Sequence, residues 1–145
     1  KKFILLSGKM ERSKKDLGRL NIDNTIFLMV DLQAFCKNIY CLDAVVRAAK
    51  YLNRSCSVLN IPLLVSEHYP DSFGGPTLPE LKETWPENTQ VFSKTQFSML
   101  TPEVITALEK YKNRKQAVLY GAAAHCCVQQ TALDLLELGY EVHIP

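Results

Sequence analysis

A chain of 145 residues that is 47% hydrophobic and 22% charged can form one globular domain and bury roughly two-thirds of its unfolded surface. This composition excludes collagen, coiled coil and disorder, and no apolar run approaches the ~18 residues that cross a bilayer, so a soluble protein with no membrane partner is expected. The formal net charge of +2 is unevenly spread: residues 1–20 carry +5 and the remainder −3, which divides the chain into a basic N-terminal tail over 1–20 and a domain over 21–145.

Only Phe3 in the tail could stack on a base, so nucleic acid is not the expected partner. The five cysteines, Cys36, Cys41, Cys56, Cys126 and Cys127, have neither the even count of a disulfide framework nor the paired spacing of a zinc site, which suits a reducing, cytoplasmic compartment.

Thr25-Ile-Phe-Leu-Met-Val30 is a continuous apolar run that ends at Asp31 and suits a strand buried on both faces. Apolar positions at intervals of three or four between Leu42 and Leu59 predict an amphipathic helix, with Asp43 near its start. A second buried strand is expected over Ile61–Val65, with Pro62 tolerated near its first residue. Residues 68–80 are rich in Pro and Gly and predict a functional loop, and a short strand at Gln90–Phe92 then delivers Lys94.

Thr101-Pro102 is a helix start with Thr as N-cap and Pro at the first turn. Ala117–Tyr120 predicts the next strand. The small-residue turn Gly121–His125 leads into a helix with Val128, Ala132, Leu135 and Leu136 on one face and Gly139 as its stop. Tyr140–Ile144 begins one more strand. This alternation predicts a three-layer α/β fold, a mostly parallel open sheet with helices on both faces, Rossmann-like in architecture.

Chemistry in such sheets gathers at the carboxyl ends of the strands, and Asp31, Lys94 and Cys127 all lie just past predicted strand ends. A helix N-terminus at Cys127 is expected to lower the thiol pKa, Asp31 could take its proton, and Lys94 could hold the carboxylate and a substrate oxygen. The competing description is an inert buried Cys127, a capping Asp31 and a surface Lys94. Small residues at 121–124 would let backbone amides approach an oxyanion. Phe35, Tyr69, Phe73 and Phe97 could line a pocket or pack their loops, His125 could form a polar wall, and Glu67 could buttress the loop. Cys36 and Cys41 lack the spacing of a redox motif.

Four ordered blocks, Asp31-Leu-Gln33 with Phe35, Ser66-Glu-His-Tyr-Pro70 with Gly75–Leu81, Ser93–Met99, and Gly121–Leu136, resemble the isochorismatase-like cysteine hydrolases, and more narrowly the isochorismatase domain-containing proteins. The resemblance runs from Asn24 to Pro145. It implies Asp31 as general base, Lys94 as orienting partner and Cys127 as nucleophile, with Cys126 a bystander. It also implies a cis peptide at Ala122-Ala123 and an oxyanion hole from the Ala123 and Cys127 amides; the loops around them suggest a substrate pocket taking in Phe35, His68, Tyr69, Phe97 and His125.

Relatives that bind a metal do so through an Asp-x-His pair and a further histidine. Ser66 stands in the first of those positions here, so neither metal nor cofactor is expected. The family also continues with a helix, strand and helix that the domain is expected to lack. The implied function is a metal-independent cysteine hydrolase of a small amide, imide or related substrate, in a homo-oligomer. The alternative is a catalytically weak interaction module on the same fold.

Overall fold

The computed structural model describes residues 18–145, and the basic tail predicted over 1–20 lies, for residues 1–17, outside the described residues. Five strands, β1 (Thr25–Val30), β2 (Leu63–His68), β3 (Gln90–Lys94), β4 (Gln116–Gly121) and β5 (Glu141–His143), form one sheet. Its order is β3-β2-β1-β4-β5 and every adjacent pair is parallel. Four α-helices, α1 (Leu42–Leu59), α2 (Pro79–Lys82), α3 (Pro102–Glu109) and α4 (Gln129–Glu137), join the strands.

The central strand is β1 because all six of its residues are buried, which only a strand covered on both faces can satisfy. Ile26, Leu28 and Val30 share one core with Leu64, Leu119, Val104 of α3 and Leu135 of α4. Phe27 and Met29 alternate to the other face and pack with Val46, Ala49 and Cys56 of α1 and Leu81 of α2. Each fully buried leucine or isoleucine in these layers contributes roughly 2 kcal/mol by removal from water.

Several boundaries differ from the sequence reading for identifiable reasons. Strand β2 begins at Leu63, after Ile61-Pro62, because Pro62 has no N–H for the ladder; its carbonyl instead accepts from the Phe27 amide at 3.0 Å. Both β2 and β3 run beyond their apolar stretches, since Ser66, Glu67 and His68 register with Phe92, Ser93 and Lys94. Helix α1 is preceded by Cys41 in the left-handed conformation, and Asp43 lies inside its first turn. Leu136 is 54% exposed while Leu135 is fully buried, because one residue further along a helix is rotated by about 100°. The loop after β2 also holds the short α2. No helix among the described residues is long and apolar enough to cross a membrane.

From β1 the chain goes to β2 on one side, and it later returns to β4 on the other, which makes the β1/β4 boundary a switch point with a crevice at the strand carboxyl ends. Asp31 follows β1 and Cys127 follows β4 at that crevice.

Candidate active site

Asp31 leaves β1 in the left-handed region at φ +51°, a conformation uncommon for a residue with a side chain but tolerated by Asp. Several bonds hold it there. Its amide donates to the Ser66 carbonyl at 3.1 Å, and its own carbonyl accepts from the Gln33 amide at 3.0 Å and from Cys36 Sγ at 3.3 Å. The side chain is fully buried. Oδ1 accepts from Ser66 Oγ at 2.7 Å. Oδ2 lies 2.7 Å from Lys94 Nζ, so the two oxygens of the carboxylate are held by different partners.

Lys94 closes β3 and is only 3% exposed. Its Nζ donates to the Gln96 and Phe97 carbonyls, each at 3.0 Å, and lies 3.3 Å from His68 Nδ1. Cys127 Sγ is 3.5 Å from the same nitrogen. The ammonium therefore touches the carboxylate, the imidazole and the thiol at once.

Cys127 is delivered by an unusual turn. Gly121 has φ +140°, and a Cβ there would meet the Val30 carbonyl oxygen at 1.9 Å, so only glycine lets β4 end this close to β1. The Ala122 amide donates to that same carbonyl at 2.9 Å, and the Ala122-Ala123 peptide is cis. A π-type turn, Ala124–Val128, then runs directly into α4. The Cys126 and Val128 amides both turn back to the Ala123 carbonyl, at 3.1 and 3.2 Å. Thr131 Oγ1 donates to the Cys127 carbonyl at 2.7 Å and accepts from the Met99 amide at 2.9 Å, which ties the Cys127 turn to the segment after Lys94.

The electrostatics reverse one expectation. Burial, followed by a hydrogen bond to Asp31 and the charge of Asp31, pushes the Cys127 thiol up to about 12 despite the opposing pull of Lys94. The resting sulfur is a neutral thiol facing a carboxylate. Burial and the neighbouring anion outweigh the helix macrodipole, so the expected lowering does not occur. His68 is held below its ordinary range by burial and by Lys94, so its ring is neutral at neutral pH.

Around the triad stands a rim of aromatic rings. His68 meets Tyr69 and Phe73 edge-on at 4.8 and 5.7 Å between centroids and Phe97 at a tilt at 6.3 Å, and Phe35 meets Phe73 at 6.3 Å. Phe35, Tyr69, Phe73 and Phe97 are all exposed. The loop carrying this rim is stapled by Gln33, whose Oε1 accepts from the His68 amide and whose Nε2 donates to the His68 and Gly75 carbonyls. Glu67 adds a second staple, accepting from the Thr77 amide and hydroxyl, both at 2.7 Å. A cavity of about 400 Å³ between residues 69–72, the end of β3 and the start of α3 reaches Lys94. His125 is exposed on the π-type turn and stands outside the ring cluster. Among the described residues no group of three or more His, Cys, Asp or Glu side chains could hold a metal ion.

Ser66 and Gln33 are the polar partners that sequence reasoning left without a role in the site. The period of two that sets Ser66 and His68 on one side of β2 was the available signal, and both point at the ion pair.

Residues 25–145 match the family described as the isochorismatase domain. Isochorismatase domain-containing protein 2 of Danio rerio is 40% identical over 129 residues, covering 88% of this chain and 64% of that protein. The structure of the MAR1 ribonuclease of Caenorhabditis elegans superposes with a TM-score of 0.80 at 39% identity, over 87% of this chain and 64% of that one. The YcaC gene product of Escherichia coli, an octameric hydrolase of unknown specificity, shares the fold with a TM-score of 0.73 at 23% identity, over 87% of this chain and 63% of its own. This chain thus spans somewhat under two-thirds of the length of these relatives.

Proposed function

The chain belongs to the isochorismatase family, and from that premise we propose that it is a cysteine hydrolase acting on a small amide, imide or related substrate, with Cys127 as nucleophile, Asp31 as general base and Lys94 as electrostatic partner. One observation carries the reading: a buried ammonium lies 2.7 Å from the Asp31 carboxylate and 3.5 Å from the Cys127 sulfur. Three groups 63 and 33 residues apart along the chain thus share one contact point at the sheet rim.

The chemistry follows from the protonation states. As Sγ attacks the substrate carbonyl carbon, its proton passes to Asp31 Oδ2, since Oδ1 already accepts from Ser66 Oγ. The oxyanion that forms is received by the Ala123 and Cys127 amides, in a turn whose neighbouring amides are already bonded to the Ala123 carbonyl. Asp31 returns the proton to the leaving nitrogen as the C–N bond breaks, leaving a thioester on Cys127. Water then gives a proton to Asp31 and attacks the thioester, and the sulfur takes that proton as the acid departs. The Lys94 amine, 2.7 Å from Asp31, offsets the carboxylate charge each time Asp31 gives its proton back.

The reaction is proposed to run without a metal, because a cation at His68 Nδ1 would stand beside the ammonium 3.3 Å away. The exposed rings of Phe35, Tyr69, Phe73 and Phe97 suit an uncharged substrate body. Assembly into a homo-oligomer belongs to the same proposal, with the exposed Leu133, Leu136 and Leu138 of the α4 region as its surface.

A panel of amides, imides and vinyl ethers assayed against the wild-type chain and Cys127→Ser tests this reading. Turnover of at least one compound, an acyl mass on the Cys127 peptide, and loss of both in the serine variant are expected. Equal turnover by the two proteins would defeat the assignment.

A further inference from the structure

Ser66 stands on β2 directly opposite Val30, where the strand's preceding residues are Leu63, Leu64 and Val65, and it is fully buried. A hydroxyl in such a place must find a partner. The partner is Asp31 Oδ1, at 2.7 Å, while the backbone carbonyl of the same serine accepts from the Asp31 amide at 3.1 Å. Two bonds from one residue therefore fix both the main chain and the carboxylate of Asp31, itself held at φ +51°.

The consequence lies in which oxygen is left. With Oδ1 occupied by a hydroxyl donor, the carboxylate cannot rotate about its last torsion without giving up a short, charge-assisted bond. Oδ2 is thereby kept 2.7 Å from the Lys94 ammonium, which itself lies 3.5 Å from the Cys127 sulfur. Two of the ammonium's three donors serve the Gln96 and Phe97 carbonyls and the nitrogen lies 2.7 Å from Oδ2, so serine and lysine each hold one oxygen of the carboxylate.

We propose that Ser66 is a positioning residue for this site, whose hydroxyl selects Oδ2 of Asp31 as the oxygen that receives the Cys127 proton. This role rests on the base assigned to Asp31 above. It makes no contact with substrate and acts only through Asp31, so its effect must vanish when Asp31 can no longer accept a proton.

That property supplies the test. Acrylamide is the probe, and the rate constant for its addition to Cys127 is read by peptide mass mapping at pH 7.5 in wild type, Ser66→Ala, Asp31→Asn and the double variant. Ser66→Ala is expected to slow the addition about ten-fold, the scale of one lost bond to a charged group. Asp31→Asn is expected to slow it more than a hundred-fold, and the double variant to match Asp31→Asn within two-fold.

A Ser66→Ala rate within two-fold of wild type, or losses that multiply in the double variant, overturns the role of Ser66 while leaving the base in place. A wild-type rate in Asp31→Asn overturns the base and Ser66's role with it. Should Asp31→Asn fail to fold, Ser66→Thr and Ser66→Val decide the matter, being equal in shape and differing in the hydroxyl. The rate is expected to recover to within three-fold of wild type in Thr and to stay low in Val; equal rates in the two overturn the proposal.

Discussion

Replacing Gly121 by alanine perturbs the candidate site without touching any group proposed to react. The added Cβ would lie 1.9 Å from the Val30 carbonyl oxygen and 2.7 Å from its carbon, both backbone atoms of the central strand. A φ of +140° is open to glycine alone, which costs an L-residue about 1–3 kcal/mol. Relieving the clash means moving the end of β4 away from β1, and that breaks the 2.9 Å bond from the Ala122 amide to Val30, worth about 1–3 kcal/mol when its partners stay buried. The expected loss is about 4 kcal/mol. Urea unfolding of wild type and Gly121→Ala, followed by far-ultraviolet circular dichroism, measures it. Because the same shift carries Cys127 away from Lys94, acrylamide addition to Cys127 should fall by at least ten-fold in whatever fraction remains folded. A stability change below about 1 kcal/mol with an unchanged addition rate would refute the claim that the β1–β4 approach sets the position of Cys127.

Gln33→Ala removes three bonds between the end of β1 and the loop that carries the aromatic rim, and it leaves the buried His68 amide and carbonyl without those partners. Hydrogen exchange over residues 69–78 should accelerate by at least ten-fold while exchange in β1 and β4 changes little; uniform acceleration would show that Gln33 supports the whole fold and not the loop. Stability should also fall in alkali. Burial pushes the Cys56 thiol from its ordinary 9.0 up to about 12, and Cys127 is pushed to the same range, so the unfolded chain ionises first. The stability these neutral thiols lend is whole below pH 9 and is lost progressively between pH 9 and 12, roughly 2 kcal/mol for each by pH 10.5. Urea midpoints at pH 8 and 10.5 measure this, and the fall should shrink in Cys56→Ala; a midpoint that holds steady to pH 10.5 would contradict it.

The limits of β1 and α1 were legible from the chain because a continuous apolar run and an eighteen-residue helical period are local patterns. Asp31, Lys94 and Cys127 were singled out by their places near predicted strand ends together with the family resemblance, and the structure brings the three side chains into contact. The neighbours that fix their geometry were not legible. Ser66 meets Asp31 and Gln33 meets His68 across 35 residues, and such pairs depend on the register of β1 against β2, which periodicity leaves open. The protonation state of Cys127 was misjudged for a related reason: the turn at 121–124 shows a helix start, but only the folded sheet sets a buried carboxylate against the thiol. The rim of rings was expected from its loops, yet its edge-on packing on His68 emerges only once β2 and β3 extend into their polar residues.

The reactivity proposed for Cys127 runs against simple accessibility. Cys41 is exposed, Cys126 half-buried and Cys127 buried with a thiol pushed up to about 12, so an unassisted electrophile would label them in that order. Site-resolved acrylamide labelling of the native chain at pH 7.5 decides the point. If Asp31 withdraws the proton as the sulfur attacks, Cys127 is modified first, and Asp31→Asn abolishes its lead. Labelling that follows exposure, with Cys127 last in both proteins, would contradict the account.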